Sequence, residues 1–297
     1  MPNHAPFAIA PTEYQLPAEL ELGPVKLQVA NLARSISYYE RVVGLQVIAR
    51  EGNSATLAAH DTAEGMVQLH EKPGVNTIPP RGRLGLYHFA ILLPTRLALA
   101  QFLAHLSELN EYAGMSDHLV SEALYLTDPD GLGIEVYADR PRESWRLDGS
   151  AIAMATDPLN VRELLNLAAG KSWTGMPSGT RIGHVHLYVG NLSESEKFYH
   201  HGLGLDKIVL QFPGALFMSA GGYHHHLGTN TWAAKSLPAT DDDARLLEWT
   251  VRLPSVDDVR HAAASIEKAG YAVRWDGDEV IATDSWGTNV RIVQQST

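Results

Sequence analysis

The chain contains no cysteine. Disulfides, thiolate zinc sites and cysteine-held iron–sulfur clusters are therefore excluded, and any bound metal must be held by His, Asp or Glu. That points to an intracellular protein and a hard or borderline ion. Basic charge is scarce and scattered: 23 Lys and Arg stand against 34 Asp and Glu, for a formal net charge of −11. A nucleic-acid or anionic-membrane partner is not expected from such a balance. No apolar run approaches the roughly 20 residues that span a bilayer. Met1-Pro2-Asn3-His4 lacks the basic region and apolar stretch of a leader, so the expected location is the cytoplasm. What is plentiful is core material, 45% hydrophobic over 297 residues, enough for two domains of ordinary size.

Within that material lies a repeat. Val29-Ala30-Asn31-Leu32, Tyr38-Tyr39 and Gly44-Leu45 recur 160 residues later as Val189-Gly190-Asn191-Leu192, Phe198-Tyr199 and Gly204-Leu205. Leu93-Pro94 matches Leu253-Pro254 at the same spacing, and Thr127-Asp128-x-x-Gly131 is echoed by Thr283-Asp284-x-x-Gly287. In each unit a short strand such as Val25 to Val29 leads to Asn31, whose side chain can cap a helix. The helix, Ala33 to Val42, places Ile36, Tyr39 and Val43 on one face, and Gly44 supplies the left-handed residue that ends it. β-type runs follow, for instance Gln46 to Arg50, Ser54 to Ala58 and Gly65 to His70. The expected fold class is α+β, with four β-α-β-β-β modules at about 22–75, 82–140, 181–233 and 245–295. The expected organisation is an N-terminal arm (1–21), a first two-module domain (22–140), a linker with a short helix capped by Asn160 (141–180), and a second two-module domain (181–297).

Histidines and acids cluster in four places: Tyr87-His88-Phe89-Ala90-Ile91, Asp128 to Glu135, Gly183-His184-Val185-His186 and Tyr223-His224-His225-His226. His184 competes with His186 on the same strand face. If the histidine triplet were a strand, His224 and His226 would face one way and His225 the other. His60, His70, His200 and His201 read as surface or structural. Trp232, Trp249 and Trp275 are expected in the core, with a cavity wall as the alternative; Phe212, Phe217 and Tyr223 are further candidates for lining it.

With the modules drawn, the chain resembles the vicinal oxygen chelate superfamily, which includes glyoxalase I, fosfomycin-resistance proteins and extradiol dioxygenases. Within it the phrases Gly85 to Pro94 and Gly221 to Gly228 are similar to two-domain catechol 2,3-dioxygenase-type proteins. The resemblance implies that the four modules pair into two open barrels, each pair forming a cup, and that an ion is held on their first and last strands. The first-strand positions are then Pro24, His88, His184 and Glu248. The last-strand positions are Glu135 in module two and Arg291 in module four, with Gln68 or His70 in module one and the triplet in module three. Pairing within the C-terminal half would offer His184, a triplet histidine such as His226, and Glu248. Pairing within the N-terminal half would offer His88, Glu135 and His70. Pairing module two with module three gathers His88, Glu135 and His184, with His225 beside them, and leaves Pro24, Gln68, Glu248 and Arg291 in a cup that need hold nothing.

The resemblance further implies Fe(II) as cofactor, with Mn, Zn or Ni as alternatives, and His88, Glu135 and His184 as ligands. It assigns His225 as the acid–base residue, and Tyr125 and His118 as substrate-orienting groups. The expected substrates are a small aromatic diol and dioxygen, in aromatic catabolism, and a homo-oligomer is compatible with the reading. Rival readings on the same scaffold are a glyoxalase-like metal-dependent isomerase or lyase and a non-catalytic binding or resistance protein.

Overall fold

The computed structural model describes residues 8–148 and 151–295. Residues 1–7 of the expected arm and 149–150 of the expected linker lie outside the described residues. Module one comprises β1 (Glu21–Val29), α1 (Leu32–Tyr38), β2 (Gln46–Glu51), β3 (Ser54–Ala58) and β4 (Val67–Glu71). Module two comprises β5 (Gly85–Leu92), α2 (Arg96–Leu109), β6 (Gly114–Asp117), β7 (Ser121–Thr127) and β8 (Gly133–Asp139). The connector carries β9 (Leu147–Asp148), β10 (Ala151–Ile152) and α3 (Val161–Ala168), and Asn160 caps that helix by accepting from the Glu163 amide. Module three comprises β11 (Arg181–Tyr188), α4 (Leu192–Ser195), β12 (Asp206–Val209), β13 (Ala215–Ser219) and β14 (Leu227–Asn230). Module four comprises β15 (Arg245–Leu253), α5 (Val256–Lys268), β16 (Val273–Asp276), β17 (Glu279–Thr283) and β18 (Asn289–Gln294).

These strands form two eight-stranded sheets, β12-β13-β14-β11-β5-β8-β7-β6 and β16-β17-β18-β15-β1-β4-β3-β2. Module two is thus joined to module three, and module one to module four, through antiparallel first strands: β5 with β11 and β1 with β15. Each sheet takes one module from 22–140 and one from 181–297. The architecture is α+β, four β-α-β-β-β modules in two paired-module open barrels. Among the described residues no helix is long and apolar enough to cross a membrane.

The sequence repeat turns out to hold the sheets together. The helix expected over 33–42 is α-helical only to Tyr38; Tyr39–Val43 then forms a π turn ending on Gly44 at φ 88°. Glu196–Gly202 repeats that turn in module three. One extra residue per turn is the geometry of a π bulge, and each turn carries a fully buried tyrosine. Tyr39 Oη donates to Asp128 Oδ2 at 3.3 Å and Tyr199 Oη to Asp284 Oδ2 at 2.8 Å. The two echoed motifs, Tyr and Thr-Asp, are therefore partners that bind module one to two and three to four, across the two sheets. Each aspartate also accepts two backbone N–H groups of its own turn. Burial nevertheless pushes the Asp128 carboxyl up to about 7.

Tryptophan placement departs from expectation. Trp249 is in the core at 1% exposure, but Trp275, on edge strand β16, is 46% exposed, and Trp232 is 37% exposed after β14. Trp275 stands on an edge strand with no strand beyond it, whereas Trp232, just past the end of β14, packs against Tyr87, His186 and Phe212.

Candidate active site

His88 lies on β5, which runs down the middle of the first sheet with β8 parallel on one side and β11 antiparallel on the other. Residue 90 is the hub: Ala90 pairs with Glu135 across β8 and with His184 across β11. Cross-strand partners share a face and lie close together. The methyl group of Ala90 leaves room for both larger side chains to lean toward His88, two residues earlier on the same face. A β-bulge between Ile182 and His184 adjusts the register of β11 at that point.

The three donor atoms converge. His88 Nε2 is 3.0 Å and His184 Nε2 3.1 Å from Glu135 Oε2, and one ligand atom from each residue lies within 4.8 Å of the others. All three residues are buried. His184 meets Glu135 in hydrogen-bond geometry, whereas His88 Nε2 is close to the carboxylate without a hydrogen bond, a buried polar nitrogen lacking a partner. Such orphans are costly unless something answers them. A cation does: ligands at right angles on bonds of roughly 2.1 Å lie about 3.0 Å apart, so the separations suit one ion shared by the three groups. Burial pushes the pKa of His88 and of His184 down, leaving neutral imidazoles with lone pairs to give. Burial pushes Glu135 up, but His184 and His88 outweigh it and hold the carboxyl well below its ordinary range. The donor set fits a hard or borderline divalent metal.

Beside the triad opens a cavity of about 450 Å³. His88, Glu135, His118, Tyr125, His186 and His225 supply its polar wall, and Tyr87, Met115, Met154, Phe212, Phe217 and Trp232 its apolar wall. His118 Nδ1 is 2.6 Å from the Ala155 carbonyl, which can only accept, so Nδ1 carries the proton. In that tautomer Nε2 accepts a hydrogen bond from the Tyr125 hydroxyl at 2.6 Å. Burial raises the Tyr125 pKa further, so the phenol stays protonated and keeps its oxygen lone pairs for a ligand in the cavity.

His186, the rival of His184, is buried with its ring 5.0 Å from that of His88. Its Nε2 accepts from Asn230 Nδ2 at 3.0 Å, so that lone pair is spent. The triplet is not a strand, because β14 begins only at Leu227. The expected alternation fails there: His224 and His225 turn toward each other, Nδ1 to Nδ1, at 2.8 Å. The His225 ring packs 4.1 Å from that of His184. His226 faces away, its Nδ1 accepting from the Ala220 amide, and Tyr223 lies behind the cavity against Tyr137 and Asp139.

The alternative ligands fall elsewhere. Glu248 is bound by Arg291 in the second sheet, and Arg291 also reaches Glu279 and Asp276. Arg291 thus fills that cup with its own ion pairs. His70 pairs with Ser54 and Asn53 on β4. Asp139, Asn230 and the walls Met115 and Met154 were not singled out from the sequence. His186 was named there, as the rival of His184 two residues along.

The model of the "Glyoxalase/Bleomycin resistance protein/Dioxygenase superfamily" matches residues 21–136 and 181–276. A Bacillus subtilis (strain 168) protein named "Catechol-2,3-dioxygenase" is 43% identical over 259 residues, covering 86% of this chain and 90% of its own length. Among solved structures, a candidate dioxygenase from Bacillus subtilis superposes with a TM-score of 0.65 at 13% identity, over 96% of this chain and 87% of that one. Glyoxalase I from Zea mays gives 0.55 at 17% identity, over 93% and 92%. The repeated modules, their pairing and these matches place the chain in the glyoxalase/bleomycin resistance protein/dioxygenase superfamily, and it belongs to that family.

Proposed function

We propose that this chain is an extradiol ring-cleaving dioxygenase acting on catechol or a substituted catechol, with Fe(II) held by His88, Glu135 and His184 and dioxygen as co-substrate. The observation that carries the reading is two imidazoles whose Nε2 atoms stand 3.0 and 3.1 Å from one carboxylate oxygen, with His88 and Glu135 on the wall of an aromatic-sized cavity. A relative named for the same activity supports it. Two imidazoles and a carboxylate on one side of such an ion leave positions open for vicinal oxygens and dioxygen.

The chain's own groups do the rest. His225, neutral because burial and the neighbouring histidines hold its pKa well down, accepts a catechol hydroxyl proton and returns it later, help worth on the order of 10²–10⁴-fold. Tyr125, its proton committed to His118, accepts from the second hydroxyl and fixes the ring. Phe217, Trp232 and Met154 exclude water from one side. Glu135 is the one acid among the described residues lining the cavity, whereas a glyoxalase-like isomerase usually brings a second carboxylate; that favours the oxygenase.

Anaerobic reconstitution with Fe(II), followed by air and catechol, should give equimolar oxygen uptake and a yellow ring-opened semialdehyde. Zn, Ni or Mn alone should be less effective. Colourless incubation with no oxygen uptake would leave the isomerase or binding protein in its place.

A further inference from the structure

Resting on the ring-cleaving reading, we propose that the substrate is a catechol bearing an apolar alkyl or aryl substituent, and that Met154 of the connector and Met115 of β6 form the subsite that selects it. The first sheet is open between its edge strands, β12 and β6, and the connector lies across that gap. On the β6 side Asp157 exchanges both backbone hydrogen bonds with Asp117, and the Ala155 carbonyl meets His118. On the β12 side Ile152 packs in one cluster with Val120, Ile208 and Val209. Between these anchors Met154 reaches the cavity wall, with Met115 on the same wall. A segment outside the four modules thus closes the site.

The cavity is polar at its floor and apolar at its mouth. His88, Glu135 and His225 are at most 4% exposed, whereas Met115 is 39% and Trp232 37% exposed, and Met154 and Phe212 are half-buried on the same wall. Apolar surface facing water around a polar floor is complementary to a ligand with a polar head and an apolar tail. A catechol ring of about 100 Å³ needs about 140 Å³ at the packing density of a protein interior. Much of the roughly 450 Å³ cavity therefore lies beyond it. Among the described residues no Lys or Arg lines that space, and Ser116 and Thr156 add only neutral hydroxyls. Arg81 stands by Tyr87 and Tyr188, off the wall, and the Nε2 atoms of His118 and His186 face Tyr125 and Asn230. A ring carboxylate would lose its water there without a countercharge, which is costly, while an alkyl or aryl group gains from the same burial. Methionine, unbranched and with three rotatable bonds, adapts to substituents of different shape.

The test compares the Fe(II)-loaded full-length protein on catechol, on its 3- and 4-propyl derivatives and on the two corresponding dihydroxybenzoates. The better propyl isomer should exceed catechol in kcat/KM by about 10–50-fold, at roughly two- to fourfold per carbon, and both carboxylates should fall at least about tenfold below catechol. Met154→Arg should shift the carboxylate-to-propyl ratio by at least about tenfold toward the carboxylate, and Met115→Trp, by filling the subsite, should narrow the propyl advantage to within about threefold. A second readout needs no turnover: in a tryptophan-fluorescence titration of the metal-free chain, 4-propylphenol should bind at least about tenfold tighter than 4-hydroxybenzoate, and Met154→Arg should close that gap. The wild-type comparisons hold whether or not either variant folds. Ring cleavage with no propyl preference, or with a carboxylate preferred, overturns the subsite and leaves the dioxygenase standing. The predicted phenol binding in a protein that opens no catechol would uphold the subsite and remove the dioxygenase assignment instead.

Discussion

Replacing Glu135 by Gln removes the one formal charge between two neutral imidazoles while keeping the shape of the side chain. In the metal-free protein the loss is modest. One charge-assisted contact to His184 becomes a neutral one, a difference of about 1 kcal/mol, partly offset because a buried carboxylate no longer needs compensation. With metal the difference is large. A ligand present at about 100 times its dissociation constant stabilises the folded state by roughly 2.7 kcal/mol. At about 2–4 °C per kcal/mol, as for chains of 150–250 residues, that raises the melting temperature by roughly 5–10 °C. A thermal-shift titration with Fe(II) under nitrogen should show that rise for the wild type and almost none for Glu135→Gln, with metal-free melting temperatures within about 3 °C of each other. A variant that kept the full metal-dependent rise would refute the assignment of Glu135 as a ligand.

Other consequences are open to measurement. Ala90→Val inserts two methyl groups between Glu135 and His184; overpacking of about 1–3 kcal/mol and loss of bound iron by elemental analysis are expected, and retention of stoichiometric iron would count against Ala90 as the hub. Tyr125→Phe should keep the metal but lower kcat/KM by about tenfold, the worth of one hydrogen bond; unchanged kinetics would remove Tyr125 from substrate orientation. Asp128, at about 7 when folded against 3.8 when unfolded, holds its proton more tightly in the native state. Its contribution to stability is therefore present below about pH 4 and lost as pH rises through 7. Chemical denaturation should show the wild type losing on the order of 4 kcal/mol over that window relative to Asp128→Asn, and parallel pH profiles would contradict it. Gly183→Ala would place a methyl group 1.9 Å from the Tyr137 hydroxyl oxygen, so soluble expression or metal retention should fall sharply; a variant with wild-type melting temperature would show that Tyr137 can yield.

Much of the architecture was legible because it repeats. A constant spacing of 160 residues between Asn31-Leu32 and Asn191-Leu192 gives the modules directly, and the asymmetry between His88, Glu135 and His184 on one side and Pro24, Glu248 and Arg291 on the other favours the sheet pairing the structure adopts. What escaped depends on contacts distant in sequence or on backbone irregularity. The π turns at Tyr39 and Tyr199 break the period that helical reasoning assumes. His224 and His225 share a bend rather than a strand, so alternation misjudges their facing. Asp139 meets His224 only because a segment 85 residues away folds against it, and Met154 reaches the cavity from the connector, where no periodicity marks it.

The proposed chemistry requires His88, Glu135 and His184 to share one metal. Anomalous diffraction at the iron edge, from crystals grown and reconstituted without oxygen, measures this directly. The predicted result is a single strong peak about 2.0–2.2 Å from His88 Nε2, His184 Nε2 and a Glu135 carboxylate oxygen. A peak beside Glu248 or at the His224–His226 bend, with the triad left bare, would contradict it.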